Sequence, residues 1–161
     1  MKVKHLNIKA ANKFATNYLN ESKEVMSFFD YTYKDQLSFE KRKRDLSARS
    51  FNRVGLVEHI ESFMKDWMTE ATKESLKKLA LDSSMVVIGG QQAGLYTGPL
   101  YSIHKVLSVL QLAKQQEEKL NTPVIPVFWI AREDHDYQEV NHVFLHSKKE
   151  VKKNKKTKKI K

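Results

Sequence analysis

Four of the chain's five glycines, Gly89, Gly90, Gly94 and Gly98, fall within ten residues. Glycine reaches positive φ without penalty and lets another molecule approach the main chain. Concentrated after a β-branched stretch, the four mark a backbone shaped for a ligand. Gln91, Gln92, Thr97, Tyr101, His104 and Lys105 are the polar groups around them. A helix starting just after the run offers free N–H groups and the positive end of its dipole, which favour an anionic group. The spacing is not the dinucleotide-binding G-x-G-x-x-G, and no Lys-Ser or Lys-Thr follows the last glycine as in a Walker loop. A tight turn with solvated glutamines is the plainer alternative. His104, in the second turn of that helix, is either a structural hydrogen-bonder or a proton-transfer group.

A second cluster, Arg132-Glu133-Asp134-His135-Asp136, follows the apolar run Val124 to Ala131, with Asn141 and His142 further on. Three carboxylates around an imidazole suit a substrate ammonium, a divalent ion or a proton-transfer pair. The alternative is a charged loop capping the next helix, with Asp134 or Asp136 as N-cap. No metal site is assigned, because neither the histidine nor the acidic spacing matches a known ligand frame.

The elements that position these clusters read as a βαβ unit. Met85-Val-Val-Ile88 is a short β-branched strand. Pro99 suits the first turn of a helix reaching about Leu120, with Leu100, Ile103, Leu107 and Leu110 as its buried face. Val124 to Ile130 is the second strand, with a bulge or late start at Pro126. The unit should wind right-handed about a parallel sheet, placing both clusters beyond the carboxyl ends of its strands. Upstream, helical pieces are expected within 9–29, a solvated basic helix face around 39–45, and a helix over 54–68. Val57, Ile60, Phe63, Met64, Trp67 and Met68 form the core stripe of that last helix. A shorter helix over 71–81 follows. The fold class is thus α/β, with residues 1–82 a mostly helical segment, 83–147 the βαβ unit and 148–161 a lysine-rich tail.

Composition narrows the function. The chain has 161 residues and a formal net charge of +10, of which 148–161 supply +8. Such a run is expected to be disordered. It supports at most non-specific nucleic-acid attraction, since it lacks arginine and aromatic residues. With no cysteine there is no disulfide, thiolate metal site or cysteine nucleophile. The longest apolar run, eight residues, is far short of a membrane span, and the N-terminus has no apolar signal region. A cytoplasmic location with no membrane partner is expected.

Residues 89–105 and 126–142 closely resemble the bacillithiol biosynthesis cysteine-adding enzymes, a likeness covering roughly residues 30–145. It implies a Rossmann-like core similar to class I aminoacyl-tRNA synthetases. The segment Gly98 to His104 stands roughly where those carry a nucleotide-binding histidine signature, which brings in ATP or ADP as a cofactor. The implied reaction joins the cysteine carboxyl to the amino group of glucosaminyl-malate, the last step of bacillithiol formation. On that implication His104 and Lys105 stabilise developing negative charge and His135 carries a proton. Gly90, Gln91, Gln92, Gly94, Thr97, Gly98 and Tyr101 bind substrate or nucleotide, as do Glu133, Asp134, Asp136, Asn141 and His142.

This sequence departs from the family in two respects. Arg132 stands where the family carries glycine. Family members run to several hundred residues, whereas the likeness here fades after about Val143. The expectation is a truncated member lacking the rest of the sheet and the coiled-coil dimerisation region of homodimeric relatives. The alternatives are a nucleotide-binding synthetase-like fragment without ligase activity, and a chain that holds nucleic acid through its tail.

Overall fold

The computed structural model describes residues 12–131 and the backbone of 142–146 and 151–155. The chain divides into two compact units, residues 1–49 and 50–161. The first contains α1 (Lys13–Leu19), α2 (Lys23–Met26) and α3 (Gln36–Ser47). Asn12 caps α1 by accepting from the Ala15 N–H, and Asp35 caps α3 by accepting from the Leu37 N–H. Between α1 and α3 the Tyr18 ring meets Phe29 at 4.8 Å and Tyr33 at 5.4 Å, giving this small unit an aromatic cluster.

In the second unit α4 (Arg53–Met64) leads through a 3-10 turn to α5 (Glu70–Leu79) and β1 (Met85–Gln92). The helix α6 (Leu100–Leu120) connects β1 to β2 (Val124–Ala131), and the two strands pair in parallel from Met85↔Val124 to Gln92↔Ala131. This is the expected α/β, Rossmann-like unit. Asn121 ends α6 in the left-handed conformation, φ 44°, its N–H returned to the Glu117 carbonyl.

Paired residues of parallel strands share a face, so alternation divides the sheet. Odd residues of β1 face α6. Even residues share the opposite face with Ile125 and Val127 of β2; α5 packs on the β2 part of that face, while Val86 and Ile88 stay exposed. On the α5 side Leu76, Leu79 and Ile125 form the buried core, with Val57, Ile60, Met68 and Val127 packed around it. Helix α5 packs on β2, and α4 joins this core through Val57 and Ile60. Half of the stripe over 57–68 behaves as the periodicity predicts. Phe63 and Trp67 do not: Trp67 is 73% exposed, and the switch to a 3-10 turn at Lys65 breaks the helical phase.

Arg53 joins α4 to the α5–β1 connection. Its guanidinium donates to the Leu79 and Asp82 carbonyls (3.3 and 3.2 Å), to the Ser84 carbonyl (2.9 Å) and to Ser84 Oγ (2.7 Å). The Leu79 carbonyl is one that α5 leaves open at its C-terminus, and the others belong to the connection that follows. Lys78 and Glu117 pair at 2.7 Å, tying α5 to α6. The Lys78 ammonium, donating to the carboxylate, holds Glu117 below its usual range.

Two expectations need correction. First, Pro126 sits in β2 opposite Val87 without a bulge. The bond from the Met85 N–H to the Pro123 carbonyl sets the parity. Odd residues of β2 donate toward β1, and position 126 faces the open edge, where a missing N–H costs no ladder bond. Second, the leucine stripe of α6 is not its buried face. Leu100 is 69% and Leu107 55% exposed, while Ser102, Ala113 and Gln116 are buried, with Val106 and Val109 between them in exposure. Small and β-branched side chains let the helix approach the sheet, whereas leucines there would hold it off. Beyond β2 the described backbone forms β3 (His142–His146), paired antiparallel with β4 (Val151–Lys155). Positions 147–150 and 156–161 lie outside the described residues.

Candidate functional site

The glycine run is half strand and half loop. Gly89 and Gly90 lie inside β1, so the bend begins only at Ala93. Gly89 is required by packing: a Cβ there would stand 2.5 Å from Val109 Cγ2. A Cβ on Gly90 would meet the Trp129 carbonyl at 3.1 Å, on the sheet face away from α6. The loop proper uses the other two. A Cβ on Gly94 would lie 2.7 Å from the Gly98 Cα, and Gly98 itself has φ 76°. Tyr96 and Thr97 precede it at φ 50° and 72°, so three successive residues run through the left-handed region. For a β-branched threonine that is a strained state. The loop is thus a tight crossing of backbone on backbone that delivers the chain to α6.

Beside this crossing lies an open cleft of about 400 Å³. Ile103, Val106 and Leu107 of α6 form one wall, and Phe128 and Ile130 of β2 the other. Gln91, Gln92, Gly94 and Thr97 close its end, with Ser102 in the first turn of α6. It lies at the carboxyl ends of both strands, where parallel α/β sheets bind ligands. The surface of the cleft is almost wholly apolar, and the polar atoms of the residues closing its end are turned away from it or buried.

Lys105 is tied to the lining residue Gln91. Its ammonium donates to Gln91 Oε1 at 2.6 Å and lies 5.3 Å from the Tyr101 ring centroid. The Gln91 amide in turn reaches the Tyr101 hydroxyl at 3.4 Å. A cation held by a neutral amide and an aromatic face keeps its charge for an incoming anion.

Of the residues singled out in the sequence, Gln91, Gln92, Gly94 and Thr97 line this end of the cleft; Gly98 lies behind Gly94 in the crossing, and Tyr101 and Lys105 connect to the cleft through Gln91. The structure does not bring Gly90 or His104 there. His104 is exposed and lines a separate shallow groove with Ser108 and Gln111, on the outer side of α6. Arg132, Glu133, Asp134, His135, Asp136 and Asn141 lie outside the described residues. His142 opens β3, whose backbone lies against the Leu95–Thr97 turn. The Ala93 N–H donates to the Ala131 carbonyl at 3.2 Å, so the glycine loop and the second motif leave the sheet at the same end.

Sequence reasoning missed Ser102 and the apolar walls. A signal was present: Ser102, Val106, Val109 and Ala113 recur at intervals of four, three and four, one helix face of small residues. The bulkier leucine stripe beside it hid that pattern.

Among the described residues, no group of three or more His, Asp or Glu side chains is placed to hold a metal ion. No helix among them is long and apolar enough to cross a membrane.

Comparison with known proteins fixes the family. The model of the bacillithiol biosynthesis BshC N-terminal Rossmann-like domain matches residues 1–161. Three relatives, from Bacillus licheniformis, Oceanobacillus iheyensis and Bacillus pumilus, each carry the name "Putative cysteine ligase BshC". The first is 45% identical over 155 residues, covering 96% of this chain and 29% of its own. The second is 48% identical over 147 residues, covering 90% and 26%. The third is 42% identical over 149 residues, covering 92% and 28%. The chain therefore spans just over a quarter of the length of these relatives. With the parallel βαβ unit, the glycine crossing and the match over all 161 residues, the chain belongs to the bacillithiol biosynthesis BshC family, as its N-terminal Rossmann-like domain.

Proposed function

We propose that this domain binds a small charged metabolite for the cysteine-adding step of bacillithiol biosynthesis. The reaction class is ligation: the amino group of glucosaminyl-malate attacks the carboxyl carbon of cysteine, the amide C–N bond forms, and the C–O bond breaks with that oxygen leaving as water or, from an activated carboxyl, with the activating group. One observation carries the reading. In a chain of this family, an apolar cleft opens at the carboxyl ends of β1 and β2, beside the glycine crossing that leads into the N-terminus of α6.

In this reading the loop, the first turn of α6 and Lys105 take the anionic part of the substrate. Dipole, backbone N–H groups and an ammonium there all favour negative charge. The acidic run Glu133, Asp134 and Asp136 takes an ammonium, and His135, beside it in sequence, carries a proton. His104 is assigned no contact with the cleft, since its side chain lies outside it. If ATP or ADP is used, its phosphates would meet these same loop and helix groups.

The test is a chimera in which residues 1–161 replace the matching portion of the Bacillus licheniformis relative. It would be expressed in a strain lacking its own enzyme, with bacillithiol measured by thiol labelling. The expected result is bacillithiol formation, reduced at least tenfold by Lys105→Ala and by Asp134→Asn. His104→Ala should leave it within about twofold. A folded chimera that forms none, or whose activity is indifferent to Lys105 and Asp134, would overturn the reading.

A further inference from the structure

The first turn of α6 contains a buried hydroxyl without a partner. Ser102 is 7% exposed, its Oγ has no hydrogen-bond partner, and it belongs to the lining of the cleft. Buried polar groups are nearly always satisfied, and leaving one unmade costs more than a made bond contributes. Most serines on a helix bond back to the carbonyl four residues earlier, as Ser108 does to His104 at 2.8 Å. Ser102 does not, although it is the more buried of the two.

Its surroundings explain why. For Ser102 the residue four back is Gly98, which lies outside the helix at φ 76°. A Cβ added to Gly98 would stand 3.3 Å from Ser102 Oγ and 3.7 Å from the Gly94 Cα, so the hydroxyl faces the glycine crossing. The helix supplies the remaining donors. Pro99 stands at the N-cap with no side-chain cap, and the first N–H groups of a helix have no intrahelical acceptor. The Ser102 N–H turns back to the Pro99 carbonyl at 2.9 Å. That leaves the N–H groups of Leu100 and Tyr101 pointing out of the N-terminus of a 21-residue helix.

We infer that Ser102 Oγ, with the Leu100 and Tyr101 N–H groups, is the ligand set for one oxyanion, a carboxylate or phosphate oxygen, at the N-terminus of α6 beside the glycine crossing. This deepens the proposed function, on which it rests, by naming the group recognised and a residue that recognises it. All three are neutral donors in the first turn of the helix, where its dipole favours negative charge.

The test reads binding directly on residues 1–161. The 15N-labelled chain is titrated at constant ionic strength with inorganic phosphate and, separately, with malate. The expected result is saturable movement of the Gly98, Leu100 and Tyr101 amide signals. Ser102→Ala should weaken it roughly tenfold, as loss of a hydrogen bond to a charged group does. Ser102→Thr, which keeps the hydroxyl, should retain most of it. Tighter phosphate supports a phosphoryl source for the oxyanion, and tighter malate supports a carboxylate source.

A thermal melt separates ligand from scaffold. Removing an unpartnered hydroxyl should leave the anion-free melting temperature of Ser102→Ala unchanged or higher. A lower one would show a structural hydroxyl and overturn the inference. Leu100→Pro is the backbone control, because proline is tolerated at the first helical position but lacks the N–H. It too should weaken binding. Movement confined to the lysine tail, no binding of either anion, or equal binding by Ser102→Ala would also overturn the inference. Failure of the ligase reading is distinct, since an inactive chimera leaves these binding constants untouched.

Discussion

Gly89→Ala tests how closely α6 must approach the sheet. The new methyl would lie 2.5 Å from Val109 Cγ2, about 1 Å inside the roughly 3.5–4.0 Å at which carbons pack. Neither partner can easily yield, since one is a strand backbone and the other a stiff β-branched side chain. The helix must move or the strand must bend, at the ~1–3 kcal/mol typical of an overpacked core. Alanine is also less free than glycine in the unfolded chain, which offsets about 0.5–1 kcal/mol. The net expectation is a loss of about 1–2 kcal/mol, read by urea denaturation of residues 1–161 at an unchanged slope. Val109→Ala removes the offending methyl. The double variant should therefore be more stable than the two single losses predict, with a coupling of about 1–2 kcal/mol. A Gly89→Ala loss below about 0.5 kcal/mol, or strict additivity, would refute the proposed register of helix on strand.

Arg53→Lys should cost about 2–3 kcal/mol in urea unfolding, because an ammonium cannot replace a fork serving three carbonyls and Ser84 Oγ; a loss below about 0.5 kcal/mol would refute that role. The Glu117 carboxyl is held below its ordinary value of 4.5 in the folded chain. Its contribution is therefore present above that pH and lost as pH falls through the lower folded value. Glu117→Gln should flatten the melting temperature against pH below about 4.5, by an amount under about 1 kcal/mol for so exposed a pair; unchanged curves would refute the coupling to Lys78. Pro126→Val restores an N–H that faces the open edge of β2, so stability should change by less than about 1 kcal/mol. A loss above about 2 kcal/mol would show that the strand parity is otherwise.

The sequence alone carried the local facts. A β-branched run after a polar helix and before a glycine loop specifies β1. Pro99 and Asn121 specify the ends of α6, because a fixed φ suits a first turn and an asparagine tolerates a left-handed end. The two long motifs carried the family, and with it the parallel Rossmann-like pairing. Each of these depends on a few neighbouring residues and on steric rules that act along the chain.

Tertiary structure alone decided which face of each element is inside. In α6 two apolar stripes lie side by side, and periodicity favours the leucine one. The sheet selects the smaller stripe, because Gly89 lets Val109 and its neighbours come within contact of β1. The same rotation turns His104 outward to the groove of Ser108 and Gln111 and brings Ser102 to the cleft. A helix can be rotated by one residue without changing its hydrogen bonds, so its own sequence leaves that angle open. The packing partner fixes the angle, and with it which residues can meet a substrate.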